Sequence, residues 1–126
     1  MTNLNAQQIK LWDLEGLSNS TVLLYQQIDN TKSSSGSATI ISFQQKFYLL
    51  TASHVAKDIK NDAKVIMRLD GDKPHIVNLV ENSNSKNIIW THHPIADLAI
   101  LELKIIDKEF LVKATKWAFP SEQIYN

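Results

Sequence analysis

Two short apolar runs separated by a polar break constrain the fold of this chain more than any other feature. The runs cover residues 37–43 and 47–50, and the break is 44–46. Runs of this length, rich in β-branched and aromatic residues, are typical of β-strands. Small residues follow the second run and lead to His54. The stretch therefore predicts a β-hairpin that holds a histidine just beyond a strand end, which is a good position for proton transfer.

A second apolar stretch, 95–103, contains one acid near its start, Asp97. An aspartate followed by Leu-Ala-Ile-Leu is expected to be at least partly buried, and a buried carboxylate needs a hydrogen-bond donor. The N–H of a neutral imidazole is such a donor, and the pair would be the orienting half of a Ser-His-Asp triad. The alternative interpretation is a strand-start aspartate that accepts a hydrogen bond from a local backbone N–H.

Together the two stretches resemble the trypsin/chymotrypsin-like serine proteases. The motifs that carry the resemblance are LTASHV at 50–55 and HPIADLAIL at 93–101. Histidine precedes aspartate, which is the chain order of that family. The two residues are 43 positions apart, compared with about 45 in chymotrypsin. The resemblance extends from about residue 21 to residue 103.

This resemblance implies a fold and a function. The fold would be all-β: a six-stranded antiparallel Greek-key barrel, the N-terminal half of a double barrel, with a short helix after His54. The activity would be that of a serine endopeptidase acting on a polypeptide substrate, with His54 and Asp97 as its catalytic residues and with no cofactor and no metal. The domains would be an N-terminal extension at 1–20 with a short helix at 5–14, the barrel at 21–104, and an extended inter-barrel linker at 105–126, cut off before a second barrel.

Composition narrows the class of partners. The chain has 126 residues, of which 13 are basic and 13 acidic, so its formal net charge is zero. Neither nucleic acid nor an anionic membrane would be attracted to such a chain by charge alone. The absence of cysteine suits a reducing compartment and resembles the disulfide-free bacterial members of the family. Without a signal-like start or a long apolar run we expect a cytoplasmic protein. A secreted or periplasmic location stays open if a leader has been removed.

The rest of the chain suggests further short strands between turns. Strands are predicted at 21–28, 64–69, 75–80 and 88–91, a helical turn at 55–59, a polar loop at 29–35 and a hairpin turn at 70–73. The residues predicted to fill the barrel interior are Val22, Leu24, Ile40, Leu49, Val65, Met67, Leu98, Ile100 and Leu103.

The histidines raise the alternative of a metal site. His75, His92 and His93 could be combined with Asp97, but neighbouring residues on a strand point to opposite faces. His92 and His93 would therefore not easily share one ion, and no two histidines of the chain have the helical i, i+4 spacing. We do not predict a metal site.

The serine nucleophile of the family has no counterpart in this chain. The three glycines are Gly16, Gly36 and Gly71, and none lies in a Gly-x-Ser-Gly segment. A His-Asp pair without a nucleophile and oxyanion donors is half of an active site. Three interpretations follow: an endopeptidase whose second barrel is supplied by absent sequence, a non-catalytic half-barrel that serves as a binding or scaffold module, or an unrelated β-barrel. An apolar surface from 117–125 and the wall near His54 would favour self-association.

Overall fold

The computed structural model describes residues 19–69 and 73–120. The predicted helix at 5–14 lies outside the described residues, as does most of the predicted turn at 70–73. The helices are α1 (Ser53–Ala56) and α2 (Lys108–Trp117), and Val80–Asn82 forms a 3₁₀ turn. The strands in the described residues are β1 (Thr21–Gln27), β2 (Ser33–Phe43), β3 (Lys46–Thr51), β4 (Lys64–Arg68), β5 (Pro74–Asn78), β6 (Thr91–His92), β7 (Ala99–Leu103) and β8 (Phe119–Pro120).

The strands form one continuous sheet in the order β5-β4-β1-β2-β3-β7-β6. All the pairs along this order are antiparallel. The short strand β8 lies outside this order and pairs with β2 in parallel. The predicted all-β class is confirmed. The short helix is present too, although α1 contains His54 where a later start was predicted, at residue 55.

In the described residues the sheet comes close to closing into a barrel but does not close completely. The chain that follows β5 runs beside β7, where Ser83 forms a bridge with Leu103. The N–H of Asn84 donates to the carbonyl of Glu102 (3.2 Å), and the N–H of Lys104 donates to the carbonyl of Asn82 (2.9 Å). Among the described strands, β5 itself pairs only with β4. A closed six-stranded Greek-key barrel therefore stays a prediction.

The hairpin β2–β3 has a two-residue loop. Phe43 pairs with Lys46, so the loop consists of Gln44 and Gln45. Their φ angles are 50° and 66°. A two-residue loop with positive φ at both positions matches the right-handed twist of the flanking strands. The polar break thus forms the predicted turn, although Lys46 belongs to β3 and β2 begins at Ser33, inside the stretch predicted as a polar loop.

The core lies on the inner face of this sheet, and most of its predicted members are correct. Seven of the predicted residues are buried: Val22, Leu24, Ile40, Leu49, Val65, Met67 and Leu103. Leu98 and Ile100 were predicted wrongly, because they are 43% and 37% exposed. Since residues two apart on a strand share a face, Leu103 can share the inner face with Leu101 and Ala99 but not with Ile100.

The segment after β7 differs most from the prediction. An extended linker was predicted from residue 105, but Lys108–Trp117 is helical. The carboxylate of Asp107 caps this helix by accepting a hydrogen bond from the N–H of Phe110 (2.9 Å), which satisfies one of the donors that a helix start leaves free. Phe110 and Ala114 are fully buried in the core. The extended conformation was therefore wrong for α2, whereas a role of 105–126 in connecting two barrels stays a prediction.

Candidate functional site

The pairing of β3 with β7 brings the candidate residues together. Thr51, the last residue of β3, pairs with Ala99, the first residue of β7. The chain leaves β3 into α1 three residues before His54 and enters β7 two residues after Asp97. Because the two strands are antiparallel neighbours, the residues just beyond these ends meet at one corner of the sheet.

Asp97 holds His54 at two points. Its Oδ2 lies 2.5 Å from Nδ1 of the His54 ring, and its Oδ1 accepts a hydrogen bond from the His54 backbone N–H at 3.0 Å. The predicted contact between two residues 43 positions apart is confirmed. One carboxylate thus fixes the ring relative to its own main chain.

The charge state of Asp97 determines the tautomer of His54. The hydrogen bond from the His54 ring, followed by the one from its backbone N–H, lowers the pKa of Asp97 below its usual value of 3.8. An ionised carboxylate can only accept hydrogen bonds, so Nδ1 of His54 carries the hydrogen of this contact. In the neutral ring Nε2 then has a free lone pair, which is the arrangement that a general base needs.

The pair is open to solvent, contrary to the expectation that Asp97 is at least partly buried. The side chains of His54 and Asp97 are 72% and 56% exposed. Asp97 lies in the loop before β7 rather than within the strand. It is therefore not enclosed by the core, and the side chain and backbone of His54 donate hydrogen bonds to it. The alternative interpretation, a carboxylate that accepts a local backbone N–H, is wrong about the donor, because the N–H comes from His54, 43 positions away.

Ser53, which the sequence pattern marks only as a small residue, forms a second connection beside the first. Its Oγ lies 2.8 Å from the carbonyl of Leu98 and 2.9 Å from Nδ1 of His92. A carbonyl oxygen has no hydrogen to give, so the Ser53 hydroxyl donates to Leu98, and Nδ1 of His92 donates to Ser53. His92 is therefore not placed as a base for Ser53, whose proton is already held. The signal that could have revealed this role is its position directly before His54.

The other histidines have separate roles. His93 turns back to its own loop, where its Nδ1 accepts from the backbone N–H groups of Ile95 (3.1 Å) and Ala96 (2.8 Å). His75 contacts Asp107 at the start of α2, with 2.8 Å between Nε2 and Oδ1. Within 19–69 and 73–120, no group of three or more histidine or acidic side chains could hold a metal ion.

Val55 connects the site to the middle of the sheet. A Cβ added at Gly36 of β2 would lie 2.6 Å and 2.8 Å from the two Cγ atoms of Val55. The absence of a side chain at Gly36 is thus what lets α1, with His54, lie directly against β2.

Comparison with protein-family models, with curated proteins and with solved structures finds no match to this chain. None of the helices in the described residues is long and apolar enough to cross a membrane.

Proposed function

We propose that this chain is the N-terminal half of a trypsin-like serine endopeptidase and carries the His-Asp part of its triad. The observation that carries the proposal is the double contact of Asp97 with the ring and the backbone N–H of His54. The same contact would arise in a purely structural pair, but it also leaves Nε2 pointing away from the carboxylate, and this is the atom that must receive a proton.

The roles of the two residues follow from this geometry. Nε2 of His54 takes the proton of the serine as that serine attacks the scissile carbonyl, and later gives it to the leaving amine. Asp97 keeps the ring in the Nδ1–H tautomer and stabilises the imidazolium that forms. The serine and the oxyanion donors belong to a second barrel, encoded outside residues 1–126.

The openness of the site supports the docking of such a barrel. A triad works in a surrounding from which water is largely excluded, whereas His54 and Asp97 are mostly exposed in this chain. Apolar side chains lie beside Asp97 in sequence: Ile95 is 92% exposed and Leu98 is 43% exposed. Covering these side chains would remove apolar surface from water and enclose the pair at the same time.

A groove along the outer side of β7 suits a polypeptide substrate. It is lined by Ile89, Thr91 and Ile100 together with Tyr48 and Glu102. Thr91 pairs with Ile100, one step along the strands from the pairing of His92 with Ala99. The apolar side chains of the groove could bind apolar side chains of a peptide. The hydroxyl and carboxylate groups at its edge could form hydrogen bonds with the polar groups of the peptide.

A peptidase assay on the complete protein and on residues 1–126 tests the proposal. We expect turnover only in the complete protein, loss of nearly all of it in His54→Ala, and a decrease of about 10⁴ in Asp97→Asn because the ring loses its tautomer. The matched control is Asp107→Asn, which makes the same change in the other His-Asp pair, remote from the site. Turnover by residues 1–126 alone, or unchanged turnover in His54→Ala, would contradict the proposal.

The second candidate is a non-catalytic half-barrel that binds a partner. It is favoured because no glycine of the sequence lies in a Gly-x-Ser-Gly segment, and because the hydroxyl of Ser53, next to His54, donates to the carbonyl of Leu98 and not to a histidine. A fluorophosphonate probe separates the two functions, because it labels an activated serine. Labelling of the complete protein that disappears in His54→Ala supports the protease, and a coding region that stops after Asn126 supports the binding module.

A further inference from the structure

The loop 93–98, which connects β6 to β7, carries Asp97 but has little packing to hold its shape. Each of its six residues is exposed. Two backbone hydrogen bonds close it: the N–H of His93 donates to the carbonyl of Leu98, and the N–H of Leu98 donates to the carbonyl of Ala96, both at 2.8 Å. The second bond encloses Asp97 in a γ-turn, a turn that is common at strand ends. Hydrogen bonds, rather than the core, therefore determine where the carboxylate points.

The ring of His93 turns back onto the backbone of this loop. Its Nδ1 accepts the backbone N–H groups of Ile95 and Ala96, the two that follow Pro94. Because both partners are donors, Nδ1 has no hydrogen, and the hydrogen of the neutral ring is on Nε2. Pro94 itself has no N–H to satisfy and fixes φ at the first corner of the turn. Both backbone N–H groups at this corner of the loop are thus paired through a single acceptor.

A second loop of the chain is also held by one side-chain acceptor that binds two backbone N–H groups. Oδ1 of Asp29 accepts the backbone N–H groups of Thr31 (2.8 Å) and Lys32 (2.9 Å), two and three residues ahead. This is the usual way in which an aspartate or asparagine side chain forms a turn. His93 has its acceptor in the same relation to residues 95 and 96. An imidazole nitrogen therefore does in this loop what a carboxylate oxygen does in the loop between β1 and β2.

We propose that His93 is a positioning residue for the His54–Asp97 pair, acting as the acceptor around which the Asp97 loop is formed. Its ring holds the N-terminal half of the loop, and the hydrogen bond from Ser53 to the carbonyl of Leu98 holds the other end beside α1. With both ends held, the carboxylate is directed at the ring and the N–H of His54. The importance of this positioning for catalysis rests on the proposed protease activity, but the positioning itself is a property of residues 1–126.

Proton NMR of residues 1–126 at neutral pH tests the positioning without any assay of activity. The Nδ1 proton of His54 reports its bond to Asp97, and its exchange with water should be about tenfold faster or more in His93→Ala, since two hydrogen bonds of the loop are lost. His93→Asn should restore the exchange rate that the His54 Nδ1 proton has in the unmodified chain, because an amide oxygen can accept hydrogen bonds from the same two N–H groups. Unchanged exchange in His93→Ala overturns the proposal, and so does fast exchange in His93→Asn with a folded core.

The matched control is Asp29→Ala, which removes the same kind of acceptor from the other loop and should leave the His54 proton unchanged. A second measurement needs no variant: ¹⁵N spectra of the unmodified chain should show neutral His93 with its hydrogen on Nε2, and the opposite tautomer overturns the proposal even if His93→Ala does not fold. Slow exchange that depends on His93, in a complete protein without peptidase activity, would support the positioning and reject the protease. These measurements therefore distinguish a failure of the positioning proposal from a failure of the proposed protease function.

Discussion

The carboxylate of Asp97 determines the geometry of the candidate site. Asp97 receives two hydrogen bonds from His54, one from the ring and one from the main chain. The ring contributes most to the lowered pKa of Asp97. Since the folded pKa lies below the unfolded value, the stabilisation by this contact is fully present above the unfolded value and is lost as the pH falls through the folded one.

We expect this shift to depend on the imidazole. A ¹³C titration of the Asp97 carboxyl should give a midpoint below 3.8 in the unmodified chain and a midpoint closer to 3.8 in His54→Ala, where only the backbone donors of residues 53 and 54 are left. Asp29 is the internal control, because the pKa of its carboxyl is lowered mainly by the N–H of Thr31 and should not respond to His54. An Asp97 midpoint at or above 3.8 in the unmodified chain would contradict the double contact between the two residues.

Gly36 controls how closely α1 approaches β2. In Gly36→Ala the new methyl group would lie within 3 Å of Val55, so α1 must move, and we expect a loss of about 1–3 kcal/mol in the free energy of unfolding. Val55→Ala in the same chain should recover part of this loss, because it removes the atoms that clash. Denaturant melts of the two single variants and the double variant measure the coupling, and strictly additive losses would show that the close approach is unimportant.

At the scale of elements, β7 determines which residues fill the core. It alternates between buried Ala99, Leu101 and Leu103 on one face and Ile100 and Glu102 on the other. Four of its five residues are apolar, and the charged Glu102 shares a face with Ile100, so the alternation already favours the face of residues 99, 101 and 103 as the inner one. The structure has this face inward, and in the pairing with β3 Leu101 lies opposite the fully buried Leu49.

Two matched alanine variants test this assignment. Leu101→Ala should decrease the free energy of unfolding by about 2–5 kcal/mol, because Leu101 is 6% exposed and its loss leaves a cavity. Ile100→Ala, next to it on the outer face, should cost less than about 1.5 kcal/mol because the residue is 37% exposed. Thermal or denaturant melts in which Ile100→Ala is the more destabilising of the two would reverse the assigned faces.

At the scale of the whole molecule, the order of the strands creates the site and α2 completes the core. Placing β7 next to β3 brings together residues that are distant in the chain. Beyond the other end of β7, the contact between His75 and Asp107 fixes the start of α2 beside β5. Partial burial would raise the pKa of Asp107, but the hydrogen bonds from the N–H of Phe110 and from His75 outweigh it, and the pKa is lowered.

The molecule also leaves apolar side chains at its surface. Leu98 and Ile95 lie near the candidate site, and Trp117 and Phe119 lie at the end of the described chain, with exposures between 37% and 92%. Together with a net charge of zero, these side chains are the physical basis of the self-association that the sequence predicts. Self-association and the docking of a second barrel would compete for the surface near His54.

The features that depend on neighbouring residues can be predicted from the sequence. The strand-length apolar runs and the polar turn follow from local pattern, and the structure places them in β2, β3 and a two-residue turn at 44–45. The predicted contact between His54 and Asp97 is present as well. What depends on long-range pairing is visible only in the tertiary structure. The helical state of 108–117 depends on the burial of Phe110, and the open setting of Asp97 depends on a loop held through His93 and Ser53. A local pattern cannot specify which strands pair, because pairing joins residues that are distant in the chain, and it is the pairing of β3 with β7 that brings His54 to Asp97.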